Sequence, residues 1–229
     1  MGGRPAPAPP LARPVPRNRK AGRILEAAIL FGLIPGSVAA GWLKLPLMPL
    51  LWTATFYCLW EMGQDGDPDP GLWRRPRLAP GEGRRTLLTF ALVTALLIAA
   101  VRVLRPEALF AYPRGHPWRW ALVVLLYPVC SALPQEIIFR AFFFRRYRVL
   151  FGNGAGLAAA SALAFGITHL AFHNWVAVAL TLPGGLLFAR SYRRNGSLLF
   201  VVCEHALYGC MVFTIGLGGF LTEATLRVS

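Results

Sequence analysis

The stretch WRWALVVLLYPVCSALPQEIIFRAFFFRRY, residues 118–147, decides the fold. It is apolar almost throughout, yet its interior holds one carboxylate, Glu136, and one arginine, Arg140. A helix needs about 20 apolar residues to cross a hydrocarbon core of ~30 Å, and this run is longer than one plain span. Pro128 and Pro134 predict a kink within it, because an interior proline removes a helical hydrogen bond and clashes with the preceding turn. Kinked backbone at membrane depth is tolerated where it lines a protein cavity instead of facing lipid.

Further apolar runs lie on either side, at 24–43, 45–61, 86–104, 154–172, 174–190 and 197–221. The expected fold is all-α: a polytopic transmembrane helical bundle of about seven spans with a polar intramembrane cavity. Residues 1–23 read as a disordered, basic, Pro-rich cytoplasmic tail and 24–62 as an N-terminal transmembrane helix pair. Residues 63–85 read as a polar loop rich in Gly, Pro and Asp, and 86–229 as a helical bundle. No internal repeat and no β-barrel alternation is visible.

Composition agrees with lipid as the solvent. Of 229 residues 55% are hydrophobic and 15% charged, too little charge to cover a soluble domain of that size. The net charge of +14 could suggest a nucleic-acid partner. The basic residues, however, sit in short clusters between apolar runs and make no solvated patch, so no nucleic acid is expected. The clusters at Arg74–Arg85, Arg145–Arg148 and Arg190–Arg194, with the basic tail, place the N-terminus and those connections in the cytoplasm. Arg102, Arg105, Arg114 and Arg119 flank a loop that this scheme puts outside, against the trend. The expected location is an integral protein of a bacterial inner (cell) membrane. Residues 1–23 lack the look of a cleavable signal and carry no myristoylation pattern. Cys58, Cys130, Cys203 and Cys210 all fall in apolar runs without a CxxC pair, and read as small apolar filler.

With loops and span ends removed, the ionisable groups at membrane depth are Glu136, Arg140, His169, Glu204 and His205, with His173 near a span end. A charge at the bilayer centre costs about 2.5–3.5 kcal/mol even on lenient scales, so these groups should face one another inside the bundle. Glu136 and Arg140, four apart, share a helix face and can pair, either to serve chemistry or only to hold helix register. His169 and His173 have the spacing of two metal ligands on one face, but HLAFH lacks the glutamate that follows the first histidine in a zincin. Glu204 and His205 point about 100° apart on a helix, so one enters the polar cluster while the other meets a different neighbour. Tyr208 lies one turn from both. A carboxylate, an arginine and two histidines are the inventory for activating a water, and Glu136, His169 and His205 would equally ligate zinc.

The order Gln135-Glu136-x-x-x-Arg140, Phe165-x-x-x-His169, then His205 resembles the CAAX-protease and bacteriocin-processing (CPBP/ABI) family of intramembrane endopeptidases. Members of that family carry Glu-Glu-x-x-x-Arg, Phe-x-x-x-His and His-x-x-x-Asn motifs on successive helices. The resemblance covers about residues 118–221. It implies an endopeptidase with Glu136, Arg140, His169 and His205 around a catalytic water and Gln135 beside them, acting on a membrane-anchored peptide or protein. The implied chemistry is either cofactor-free water activation or a metalloendopeptidase-like site with zinc on Glu136, His169 and His205.

Two positions depart from the family pattern. Gln135 stands where the first Glu would be, which leaves Glu136 as the general base. Gly209 stands at the last motif's Asn, and removes an oxyanion donor that Tyr208 or Gln135 would then supply. These departures equally suit a non-catalytic member that binds hydrophobic peptides or acts as a membrane-assembly partner. A small transporter would want paired broken helices, and only the Pro128–Pro134 region has that look.

Overall fold

The computed structural model describes residues 17–64 and 80–222. The tail before residue 17, most of the polar loop (65–79) and the last residues (223–229) lie outside it, and with them the reading of the tail as disordered. Among the described residues the protein is all-helical, with no strand.

Each apolar run forms one long helix. These are α1 (Lys20–Ala39), α2 (Leu47–Gln64), α3 (Glu82–Leu104), α4 (Pro117–Phe151), α5 (Ala155–Phe172), α6 (Trp175–Asn195) and α7 (Leu198–Thr214). Four of them, α1, α3, α4 and α5, are long and apolar enough to cross a membrane. Helix α7 is apolar but shorter. Leu87, Leu88, Leu92 and Leu96 stand exposed along α3, as side chains do when lipid is the solvent.

Helix α4 is continuous over 35 residues, with both prolines inside it. Pro128 opens a π-helical turn, Pro128–Ala132, in which the Leu133 N–H reaches back to the Pro128 carbonyl. A second π segment spans Ile137–Phe142. The wider turn takes up the proline without ending the helix, and such bulges re-aim the residues that follow. Ser161 of α5 donates to the Phe139 carbonyl inside the second π segment, at 2.6 Å.

The run 197–221 is also shorter as a helix than its hydropathy suggests. Helix α7 stops at Thr214, and Gly216 follows at φ +97°, where a side chain would overlap the Ala108 carbonyl.

Polar contacts gather the helix ends. At one end of the bundle, Arg146 of α4 pairs with Glu26 of α1 at 2.7 Å and with Glu61 of α2, and Tyr147 donates to Glu26. Arg194 of α6 reaches Glu82 of α3 at 3.4 Å. At the opposite end the Trp120 indole donates to Thr214. The core between is aromatic, with Phe139, Phe142, Phe165 and Phe188 buried around the middle of α4.

Candidate active site

Helix α4 brings Glu136 and Arg140 to the bundle interior, both with no solvent-exposed surface. Arg140 Nε lies 3.1 Å from Glu136 Oε2. The arginine also donates to the Gly185 carbonyl of α6 at 3.1 Å and sits over the rings of Phe165 and Phe188. Gly185 permits this close α5–α6 contact, since a Cβ there would come within 2.9 Å of the Phe165 ring.

His205 of α7 completes the group. Its Nδ1 lies 2.7 Å from Glu136 Oε1. A carboxylate only accepts, so Nδ1 carries a proton, and in the neutral ring Nε2 is then the acceptor. Nε2 takes the hydroxyl of Tyr127 at 3.0 Å. Phe188 stacks on the imidazole, centroid to centroid 4.6 Å, and Phe165 meets it edge-on. The two-way choice on α7 is thereby settled: His205 enters the cluster, and Glu204 turns to Ser191 on α6.

His169 closes α5 on a 3-10 turn, with its Nδ1 2.7 Å from the Phe165 carbonyl one turn back. A carbonyl accepts, so Nδ1 is the donor and Nε2 keeps its lone pair. The Phe165 ring contacts both His169 and His205, at centroid distances of 4.6 and 5.6 Å. His173 follows at φ +55°, outside the α-helical register that the spacing of four assumes.

Two cavities flank the group. The larger, about 620 Å³, opens between α1, α2, α4 and α5, with mostly apolar walls carrying Tyr127, Ser131, Gln135 and His169. The smaller, about 210 Å³, lies toward α3, α6 and α7 and includes His205 and Tyr208. Tyr127 and His169 line both. Glu136 and Arg140 are in neither wall; they lie behind it, joined to the cavities through His205 and Tyr127. Gln135 is on the wall of the larger cavity, with its amide donating to Ser131 at 2.7 Å.

The fit of zinc to Glu136, His169 and His205 is poor in this arrangement. Both ring nitrogens of His205 are engaged in hydrogen bonds, and no group of three His, Cys, Asp or Glu among the described residues gathers as a metal site. Sequence reasoning missed Tyr127 and Ser131, ordinary-looking polar residues in an apolar run. It also missed Glu26, Glu61 and Arg146, set aside as span-end charges. Only the spacing of Tyr127, Ser131 and Gln135, each four apart on one helix face, could have flagged the first two.

A helical membrane bundle with an internal carboxylate, arginine and histidine beside apolar cavities defines a class of intramembrane proteins. Residues 117–211 match the family model for type II CAAX prenyl endopeptidases, Rce1-like. Over that segment the chain is similar to the CAAX-protease (CPBP) family, in agreement with its motif order. No curated protein matches the chain. No solved structure matches it either.

Proposed function

We propose that the protein is an intramembrane endopeptidase that hydrolyses a peptide bond of a membrane-anchored protein or peptide. The observation that carries this reading is the Glu136–His205 hydrogen bond set beside an apolar cavity large enough for an extended hydrophobic segment. The carboxylate holds His205 in one tautomer and stabilises the imidazolium that forms when the ring takes a proton. Arg140 pairs with the Glu136 carboxylate and fixes its direction in a dry site. His169, its Nε2 lone pair free of the carbonyl bond, is placed to orient a water on the cavity side. In this reading the chemistry is cofactor-free, with Glu136 acting through His205 because it does not itself reach the cavity wall.

The test is cleavage of a membrane-anchored reporter peptide by the full chain in proteoliposomes, with His205→Ala and His169→Ala alongside. Cleavage that both variants lose supports the assignment; cleavage that both retain overturns it.

Gln135 supports a second reading, a non-catalytic binder of hydrophobic peptides or a membrane-assembly partner, because the cavity wall then presents an amide where the family pattern has a carboxylate. Gln135→Glu separates the two. A weakened enzyme gains activity from it, whereas a binder gains none.

For orientation, we infer a cytoplasmic N-terminus in a bacterial cell membrane. The arginine-bearing ends of α4 and α6 pair with the ends of α1, α2 and α3 that this topology puts on the same side. Labelling by a membrane-impermeant thiol reagent at introduced cysteines 70 and 195 in intact cells would overturn it.

A further inference from the structure

A hydrogen-bonded chain runs from Tyr127 on the cavity wall through His205 to the buried carboxylate. The Gln135 amide donates to the Ser131 hydroxyl at 2.7 Å, one helical turn from Tyr127 on the wall of the larger cavity. Tyr127 donates to His205 Nε2 at 3.0 Å, and His205 Nδ1 donates to Glu136 at 2.7 Å. Because Glu136 only accepts, His205 Nδ1 donates to it, and with the ring neutral both bonds from Tyr127 onward are polarised toward Glu136.

Tyr127 is the member that meets both the cavities and the histidine. Its ring lies against Gly209, where any Cβ would overlap the ring carbons and the phenol oxygen. Glycine at 209 is therefore what lets the phenol reach His205 from a neighbouring helix. Gln135 Oε1 is buried with no hydrogen-bond partner among the described residues, an acceptor one helical turn from Ser131 and on the same cavity wall.

We propose that Tyr127 is a catalytic residue that passes a proton between a water in the larger cavity and His205, so that the Tyr127–His205–Glu136 chain does the work of a cavity-facing carboxylate. This rests on the endopeptidase reading above. As the water oxygen bonds to the scissile carbonyl carbon, the water gives its proton to the phenol oxygen of Tyr127. The phenol's own proton passes to His205 Nε2, the carbonyl π pair moves onto its oxygen, and Glu136 balances the imidazolium. When the tetrahedral intermediate collapses, the C–N bond breaks. The leaving nitrogen then recovers a proton from His205 along the same path. Peptide and water become acid and amine, and the chain of side chains ends as it began.

The experiment is single-turnover cleavage of the reporter peptide by the full chain in proteoliposomes, with Tyr127→Phe. Phenylalanine keeps the ring against Gly209 and deletes only the hydroxyl, so thermal unfolding should stay close to that of the parent. The expected result is a rate ~10²-fold lower or worse, as for loss of a proton-transfer group. A rate within about threefold of the parent overturns the proposal while the endopeptidase reading stands. A parent chain that cleaves nothing sinks both. As a second measurement independent of folding losses, 3,5-difluorotyrosine at position 127 keeps the shape and makes the phenol more acidic. The pH–rate profile should shift with it, and an unmoved profile overturns the relay.

Discussion

Helix α4 carries two carboxylate–arginine clusters that differ chiefly in where they sit. At its centre Arg140 and Glu136 are fully buried among aromatic rings, with His205 hydrogen-bonded to the carboxylate. Toward its end Arg146 pairs with two carboxylates, Glu26 and Glu61, from the two N-terminal helices, and all three keep some exposure. The chemistry of the pairs is alike and the surroundings are not. In the buried cluster neither charge has water to fall back on, so removing one partner strands the other. At the end of the helix the polar headgroup region and solvent can replace a lost partner, and the pairing serves docking of the N-terminal helices.

The largest expected effect follows from that asymmetry. Glu136→Gln keeps the shape and the hydrogen bond to His205 but strands the Arg140 charge. It should cost about 3–5 kcal/mol in stability, and cleavage should fall ~10²–10⁴-fold. Unfolding in detergent and the peptide assay read the two separately. Unchanged stability would break the comparison, since the central pair would then be no more demanding than the peripheral one.

Gly185→Ala tests the packing that holds Arg140 in place. The new methyl meets the Phe165 ring and the Ala162 backbone, and the overpacking should cost about 1–3 kcal/mol. Because the Gly185 carbonyl accepts from Arg140, activity should fall together with stability. Arg146→Gln, at the peripheral cluster, should cost about 1 kcal/mol, with a dependence on ionic strength that the central cluster lacks. Cleavage should persist. Smallest of all is Arg194→Ala, which removes a long contact from a partly exposed arginine to Glu82. It should change stability by no more than a few tenths of a kcal/mol, and a loss near 3 kcal/mol would show that the end of the bundle is drier than its exposure implies.

The sequence by itself determined the all-helical membrane architecture, the approximate position of each long helix, and the presence of Glu136, Arg140 and His205 in the interior with His169 half-buried beside them. Hydropathy and the cost of buried charge are local properties, legible residue by residue. The pairing of Glu136 with Arg140 was equally legible, because both lie on one helix at a spacing of four. Tertiary structure alone decided the rest. Which of Glu204 and His205 meets Glu136 depends on the rotation of α7 against α4, and no spacing within α7 records it. That Glu136 lies behind the cavity wall while Gln135 stands on it follows from π turns that re-aim α4 after Pro128, a register change invisible to a pattern read at 3.6 residues per turn. Tyr127 acquires its place because Gly209, on another helix and 82 positions away in the chain, leaves room for its ring. Contacts between helices set by shape and not by periodicity are what the sequence does not spell out.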